Sequence, residues 1–303
     1  MDFARGTIRH LSLCTGYGGI DLGLRRVLPN CRTLAYVEVE AFAIANLVSK
    51  MEAGYLDPAP LWTDIKTLPL ECFPKGIEII SGGFPCTPFS VPGRRNADSD
   101  GRHLFPYIKN AIRVIRPRYV FLENVEGIIT SELKGDHWGD PAGTPVLLHV
   151  LRELEREDYR CSFGMFTASE VGGPHQRKRV FILAHADESG LEGRDGGELS
   201  ECPVKLSFRE GSPQLRWPSL PEEDQHEWEH PRVAGNGDRD SGSGDGEIES
   251  ELGGAVDGPP PGWVDTTVCP VANRTDRLRM LGNGCVPAVV AKAFSDLLRE
   301  LHN

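Results

Sequence analysis

The sequence predicts an α/β fold: a doubly wound, mostly parallel sheet with a small irregular insertion late in the chain. Three observations lead there. Short apolar runs bounded by turn residues recur with helical stretches between them, loops rich in glycine or proline follow three of those runs, and the texture changes abruptly after Ala186. The first run, residues 8–14, ends in TGYGG and is followed by a helical stretch over 20–27. A second strand at 33–37 leads to a helix at 41–51. The strand at 77–80 opens into GGFPC, with a helix at 104–115 beyond it. The strand at 119–122 runs into ENVEG, a helix follows at 146–157, and VFILA at 180–184 is the last strand. In sheets of this kind ligands gather beyond the carboxyl ends of the strands, near the switch in strand order. All three loops start there.

From 187 to 261 the chain is poor in aliphatics and rich in Gly, Pro, Ser and acid. The stretch GNGDRDSGSGDGEIESE cannot bury enough apolar surface to order itself. Regular patterning returns near the end, where Val286, Val289, Val290, Ala293, Phe294, Leu297, Leu298 and Leu301 recur at helical spacing and Pro287 suits the first turn. The expected organisation is a main domain over 1–186, a small acidic, partly disordered insertion over 187–269, and a segment over 270–303 that returns to pack on the sheet.

At 303 residues the chain is long enough to bury a proper core without staples. Its eight cysteines contain no C-x-x-C pair and no Cys/His cluster at zinc-finger spacing, so neither a disulfide framework nor a structural metal is expected. The opening run is short and no later stretch approaches the length of a membrane span, which points to a reducing, cytoplasmic setting. The formal charge of −11 argues at first against a nucleic-acid partner. Its distribution removes that objection. Between Asp187 and Asp257 there are 19 acidic and 6 basic residues, which leaves the remainder with 27 basic and 25 acidic. The acidity belongs to one segment, and the rest can carry a basic face.

Cys86 is the candidate nucleophile. It sits behind a proline in the loop GGFPCTPFS, directly after an apolar strand, where an exposed thiolate would have both access and a backbone that closely approaches a substrate. Glycines 16, 18 and 19 lie between a strand and a helix in the spacing G-x-G-G. Asp21 stands where a dinucleotide fingerprint would place its last glycine, which favours an adenosyl ligand without phosphates over a pyrophosphate. Glu38, 22 residues beyond Gly16, is placed to take ribose hydroxyls, and Asp64 to accept from an adenine amino group; a bare turn with solvated carboxylates accounts for the same residues. Glu123 ends the run YVFL at the same sheet edge as Cys86, as an acid toward a heteroaromatic ring or as a turn carboxylate. Arg177 and Arg179 alternate before a strand, so both guanidinium groups face one side and Lys178 the other. His175 reads as a loop histidine.

Assembled, these motifs resemble the DNA cytosine-5 methyltransferases over about 1–186 and 270–303: LSLCTGYGGIDLGL, GGFPCTPFS, ENV, PHQRKRVFILA and LGNGCVPAVV, in that order. The resemblance implies the Rossmann-like fold of methyltransferases that use S-adenosylmethionine, with that molecule as methyl donor and no metal. It implies a donor site from Cys14, Gly16, Gly18, Gly19, Glu38, Val39, Asp64, Ile65, Leu104, Asn283 and Gly284. It implies Cys86, Glu123, Arg177 and Arg179 as catalytic, with Arg179 at the base carbonyl, Arg177 supporting its loop, and Asn283 helping to place the nucleophile loop. The substrate would be a cytosine flipped out of double-stranded DNA, and the protein a monomer, in a restriction-modification setting or with a specificity partner. Methylation of RNA by the same chemistry and a binding protein without activity are the rival readings; a nicotinamide-linked dehydrogenase is disfavoured by the glycine spacing.

The sequence departs from the family pattern in four places. Cys14 stands where many members have phenylalanine, His175 where glutamine is common, and Arg102 lies one residue closer to Leu104 than in some members. The interval that normally reads the target is short and acidic, with GPPPGW at 258–263 as a faint trace of the penultimate motif.

Overall fold

A computed structural model describes residues 6–73, 76–85, 104–135, 140–186, 280 and 282–302. Strands β1 (Ile8–Leu13), β2 (Cys31–Val37), β3 (Leu61–Trp62), β4 (Ile79–Gly83), β5 (Tyr119–Val125), β8 (Tyr159–Phe166) and β9 (Arg179–Ala186) form one sheet in the order β3-β2-β1-β4-β5-β9-β8. A two-stranded ribbon, β6 (Glu132–Gly135) with β7 (Asp140–Pro145), stands apart. Helices α1 (Gly19–Val27), α2 (Ala41–Glu52), α3 (Phe105–Ile115), α4 (Val146–Glu155) and α5 (Pro287–His302) accompany these strands, with short 3-10 helices in several of the connections.

The sheet is covered on both faces because its central strands are apolar on both. On β5, Val120 and Leu122 join α3 and α4 in one cluster, while Tyr119 and Phe121 join α1 and α5 in the other. Side chains alternate along a strand, so such a run without polar gaps is what a doubly covered sheet requires. Phe121 stacks on Phe181 at 5.5 Å between centroids and takes the edge of Phe294 at 5.3 Å. That fixes α5 against the sheet centre. Pro287 is the first residue of α5, as its missing N–H allows.

β1 lies between β2 and β4, all mutually parallel, so the chain leaves β1 to one side and returns on the other. This is the switch point, and the loops after β1 and β4 flank it. The apolar run at 180–184 is strand β9 as expected, but it lies antiparallel between β5 and β8 and does not extend the parallel array. β8 itself is not legible in the sequence: YRCSFGMF shows no clean apolar alternation, since Phe163 and Met165 are exposed and Gly164 has no side chain. It is an edge strand, where pairing needs backbone and little burial. The ribbon β6–β7 is hidden for a similar reason, with Pro and Gly inside β7.

Candidate active site

Three strand ends build the site. After β1 the backbone turns sharply, with Cys14, Gly16 and Gly18 at φ of 49, 59 and 84°. Thr15 N–H donates to the Val37 carbonyl at 3.0 Å, tying the turn to the end of β2. Beside it Glu38 accepts from Gly16 N–H at 2.6 Å through one carboxylate oxygen and from the N–H groups of Val39 and Glu40 at 2.9 Å through the other. A carboxylate has about four acceptor positions, so capacity remains for a ligand hydroxyl.

The glycines of this loop divide by role. A Cβ on Gly16 would meet nothing within 4 Å, so the space above it is open. On Gly18 it would press on Leu56 and Leu47, and on Gly19 it would stand 2.2 Å from the Cys285 carbonyl. The left-handed backbone favours glycine at 16 and leaves the space beside it open, whereas at Gly18 and Gly19 close packing also leaves no room for a side chain.

Trp62 of β3 pairs in register with Val37 of β2, which sets Asp64 just past the end of β3. One Asp64 oxygen accepts from Lys66 N–H at 2.9 Å, Ile65 is buried in the core, Val39 is 69% exposed, and Leu104 is half-buried just before α3.

Glu123 lies opposite Gly83 in the β4–β5 register and is 5% exposed. A Cβ on Gly83 would be 3.1 Å from its carboxylate, so the strand that leads toward Cys86 passes close over Glu123. Burial lifts the Glu123 carboxyl to about 7; Arg179, the Cys285 thiol and Arg177 pull it back only in part. Arg179 Nε stands 3.0 Å from the carboxylate oxygen Oε1, but that oxygen has no aligned hydrogen-bond donor, so the attraction is Coulombic more than directional. Asn124 next door donates to the Phe84 carbonyl at 3.0 Å and so pins the start of the loop that carries Cys86. Cys86 and Arg102 themselves lie outside the described residues.

The two arginines do converge. Arg177 donates to the carbonyls of Gly282, at 3.0 Å, and Gly284, and Arg179 reaches the Gly282 carbonyl at 3.2 Å. Lys178 points elsewhere, 3.5 Å from Glu126. The arginine motif thereby grips the glycine turn before α5, where Asn283 is exposed and Gly284 is buried. A Cβ on Gly284 would fall 1.7 Å from the Tyr17 ring.

Three residues that sequence reasoning passes over complete this arrangement. Tyr17, 1% exposed inside the glycine loop, donates its hydroxyl to the Cys285 carbonyl. Lys50 of α2, also buried, donates its ammonium to the Tyr17 carbonyl at 2.5 Å and lies 4.7 Å from the ring centroid. Cys285 is buried, and its thiol is pushed well above the ordinary range by burial and by the charge of Glu123. A large aromatic between two glycines is the available signal for Tyr17. Cys285 and Lys50 give none, because their partners are distant in sequence.

The arrangement is a buried, near-neutral carboxyl flanked by two arginines, beside an open glycine turn with a hydrogen-bonding carboxylate. It can protonate or hydrogen-bond a ring nitrogen and hold a carbonyl oxygen. Comparison with known proteins agrees. Among solved structures, the Dnmt2 methyltransferase of S. pombe aligns over 98% of this chain and 100% of its own, with a TM-score of 0.59 and 18% identity; that likeness shows the fold. The type II methyltransferase M.NaeI of Lentzea aerocolonigenes is 28% identical over 174 residues, covering 57% of this chain and 39% of the relative. M.CviJI, a type II methyltransferase of Paramecium bursaria Chlorella virus IL3A, is 30% identical over 179 residues, 59% of this chain and 43% of its own. The chain thus spans less than half the length of these curated relatives. The family model for the C-5 cytosine-specific DNA methylases matches residues 8–227, a span that contains the glycine turn, the Cys86 loop, Glu123 and both arginines. With the motifs in order, the sheet built around them and the family's own pattern matched over most of its length, the chain belongs to the C-5 cytosine-specific DNA methylases.

Proposed function

We propose that the protein transfers a methyl group from S-adenosylmethionine to carbon 5 of a cytosine flipped out of double-stranded DNA, through a transient bond to Cys86. The observation that carries this reading is Glu123, buried under Gly83 with its carboxyl near 7, because such a group can hold a proton at neutral pH and give it to a ring.

The chain's residues fit an adenosyl donor. The space above Gly16 is open, the Glu38 carboxylate keeps acceptor capacity for ribose hydroxyls, and Asp64 has an oxygen uncommitted to Lys66. Asp21 is buried at the start of α1 and accepts from Ser12 and Thr33, a carboxylate where a pyrophosphate site would want none. When bound, S-adenosylmethionine supplies an electrophilic methyl group.

The protein's part is to make cytosine nucleophilic. Carbons 5 and 6 cannot be reached within the stack, so the base is flipped out. The Cys86 thiolate adds to carbon 6 while Glu123 protonates ring nitrogen 3, and the electron pair displaced from the double bond makes carbon 5 the attacking atom. After methylation nitrogen 3 returns its proton to Glu123, the carbon 5 proton passes to solvent, and the electron pair it leaves expels the Cys86 thiolate and restores the double bond between carbons 5 and 6. Arg179 is positioned beside Glu123 to meet the base carbonyl, and Arg177 holds the turn before α5. In this reading residues 1–186 and 270–303 form the catalytic domain, and 187–269 a small target-recognition segment.

Duplex DNA containing 5-fluorocytosine tests the reading. The full chain with S-adenosylmethionine should give a denaturant-stable protein–DNA adduct that Cys86→Ser abolishes, and bisulfite sequencing of ordinary mixed-sequence DNA should report the methylated context. Absence of both adduct and methylation overturns it.

A further inference from the structure

We propose that Lys50 is a positioning residue for the glycine loop: from α2 its buried ammonium holds the Tyr17 carbonyl between Gly16 and Gly18, and the Tyr17 hydroxyl extends that hold to the Cys285 carbonyl before α5. The proposal rests on the reading of this loop as the S-adenosylmethionine site, and it names what keeps the loop in shape.

The loop needs holding. Cys14, Gly16 and Gly18 all lie in the left-handed region, and a bend of this kind persists only where its surroundings over-determine it. Thr15 N–H is tied to the Val37 carbonyl and Gly16 N–H to the Glu38 carboxylate, which fixes the start of the loop against the end of β2. Lys50 supplies the hold at Tyr17. Its ammonium donates to the Tyr17 carbonyl at 2.5 Å and lies 4.7 Å from the centroid of the same residue's ring, so one cation meets both the peptide and the side chain. The base of this brace is itself anchored. The Lys50 carbonyl accepts from the N–H groups of Tyr55, at 2.9 Å, and Leu56, at 3.3 Å, and Leu56 is the side chain that a Cβ on Gly18 would meet at 3.0 Å.

The residue type argues for the role. Lys50 is 1% exposed, and an ammonium is costly to bury unless strong partners repay the lost water. An apolar side chain would fill the same place without that cost but would bring no donor to the Tyr17 carbonyl. A lysine in the last turn of a helix commonly serves the helix dipole, but it does so from the surface. On the far side the loop meets the turn before α5, where the Tyr17 hydroxyl donates to the Cys285 carbonyl. A Cβ on Gly19 would stand 2.2 Å from that carbonyl, and Arg177 binds the carbonyls of Gly282 and Gly284 beyond it. The glycine loop is thus clamped between α2 and the turn that the arginine motif grips. Without the clamp the loop relaxes from the shape that leaves Gly16 open and its N–H on Glu38, and affinity for an adenosyl ligand falls.

The test is calorimetric titration of the full chain with S-adenosylhomocysteine, well below the melting temperature of every protein compared. Lys50→Met keeps the bulk and removes the ammonium; Tyr17→Phe keeps the ring and removes only the hydroxyl. Binding should weaken about 10-fold in Lys50→Met and about 5-fold in Tyr17→Phe. A residue needed only for stability lowers the melting temperature and leaves the affinity of the folded protein unchanged, so an affinity within about twofold of the unmodified protein in Lys50→Met overturns the proposal. The same threshold in Tyr17→Phe overturns the extension to α5, and Tyr17→Phe decides alone if Lys50→Met does not fold. In methyl transfer the effect of Lys50→Met should fall on the KM for S-adenosylmethionine and not on kcat, since Lys50 acts through the loop. An unmodified protein that binds no S-adenosylhomocysteine overturns the reading of the site and the proposal with it. If Lys50→Met weakens binding but no protein methylates DNA, the positioning role stands and the assignment of methyl transfer fails.

Discussion

Replacing Glu123 by Gln should stabilise the fold at neutral and alkaline pH and, on the proposed function, abolish methyl transfer. Burial raises the Glu123 carboxyl from its ordinary value of 4.5 to about 7 in the folded chain. Between those two values the folded protein holds a proton that the unfolded chain has released. Stability therefore falls as pH rises through this window and stays reduced above it. At about 1.36 kcal/mol per pH unit the full effect is about 3 kcal/mol. Glutamine is close to the protonated carboxyl in shape and is neutral throughout, so Glu123→Gln escapes the penalty. The stability difference between variant and unmodified protein should rise by about 3 kcal/mol from about pH 4.5 to about pH 8.5. His10 near 3, Asp21 near 6 and Lys50 near 7 also shape the pH dependence, but they titrate in both proteins and cancel in the difference. Urea unfolding followed by tryptophan fluorescence at several pH values measures it. A difference that is flat across this range, or that falls with pH, would refute the argument that Glu123 is held in a desolvated site.

Two further predictions concern the turn before α5. Gly284→Ala should cost about 1–3 kcal/mol, because its Cβ lands inside the Tyr17 ring, and most of that loss should vanish when Tyr17→Leu removes the ring; a thermal-melt double-mutant cycle without coupling would contradict the packing. Arg177→Ala removes donors to two carbonyls more than a hundred residues away in sequence, and amide exchange over 282–286 should quicken about 30-fold, or ~2 kcal/mol, while β1 and β4 keep their protection.

The strands and helices of the main domain are legible because their apolar patterns are dense and their turns carry glycine. YVFL can be read as a doubly buried strand from the residues alone, and it is one. The direction of β9 cannot, since VFILA looks the same whether it runs with or against its neighbour. In the site, Glu38 is legible as a carboxylate 22 residues past a glycine turn, and it does bind that turn at Gly16. Gly18, Gly19 and Gly284 each lie where a side chain would collide with another part of the chain, which the sequence does not show. A glycine that admits a ligand and one that admits a side chain from elsewhere have the same letter.

The amino-acid order by itself determined the βαβ rhythm, the loops at the strand ends and the family, because these depend on residues near one another in the chain. Tertiary structure alone decided that the Tyr17 hydroxyl reaches the Cys285 carbonyl, and that burial more than charge sets the proton affinity of Glu123. Those facts arise from segments more than a hundred residues apart being driven together by a shared core, and a dielectric environment belongs to the packed assembly and to no single residue in it.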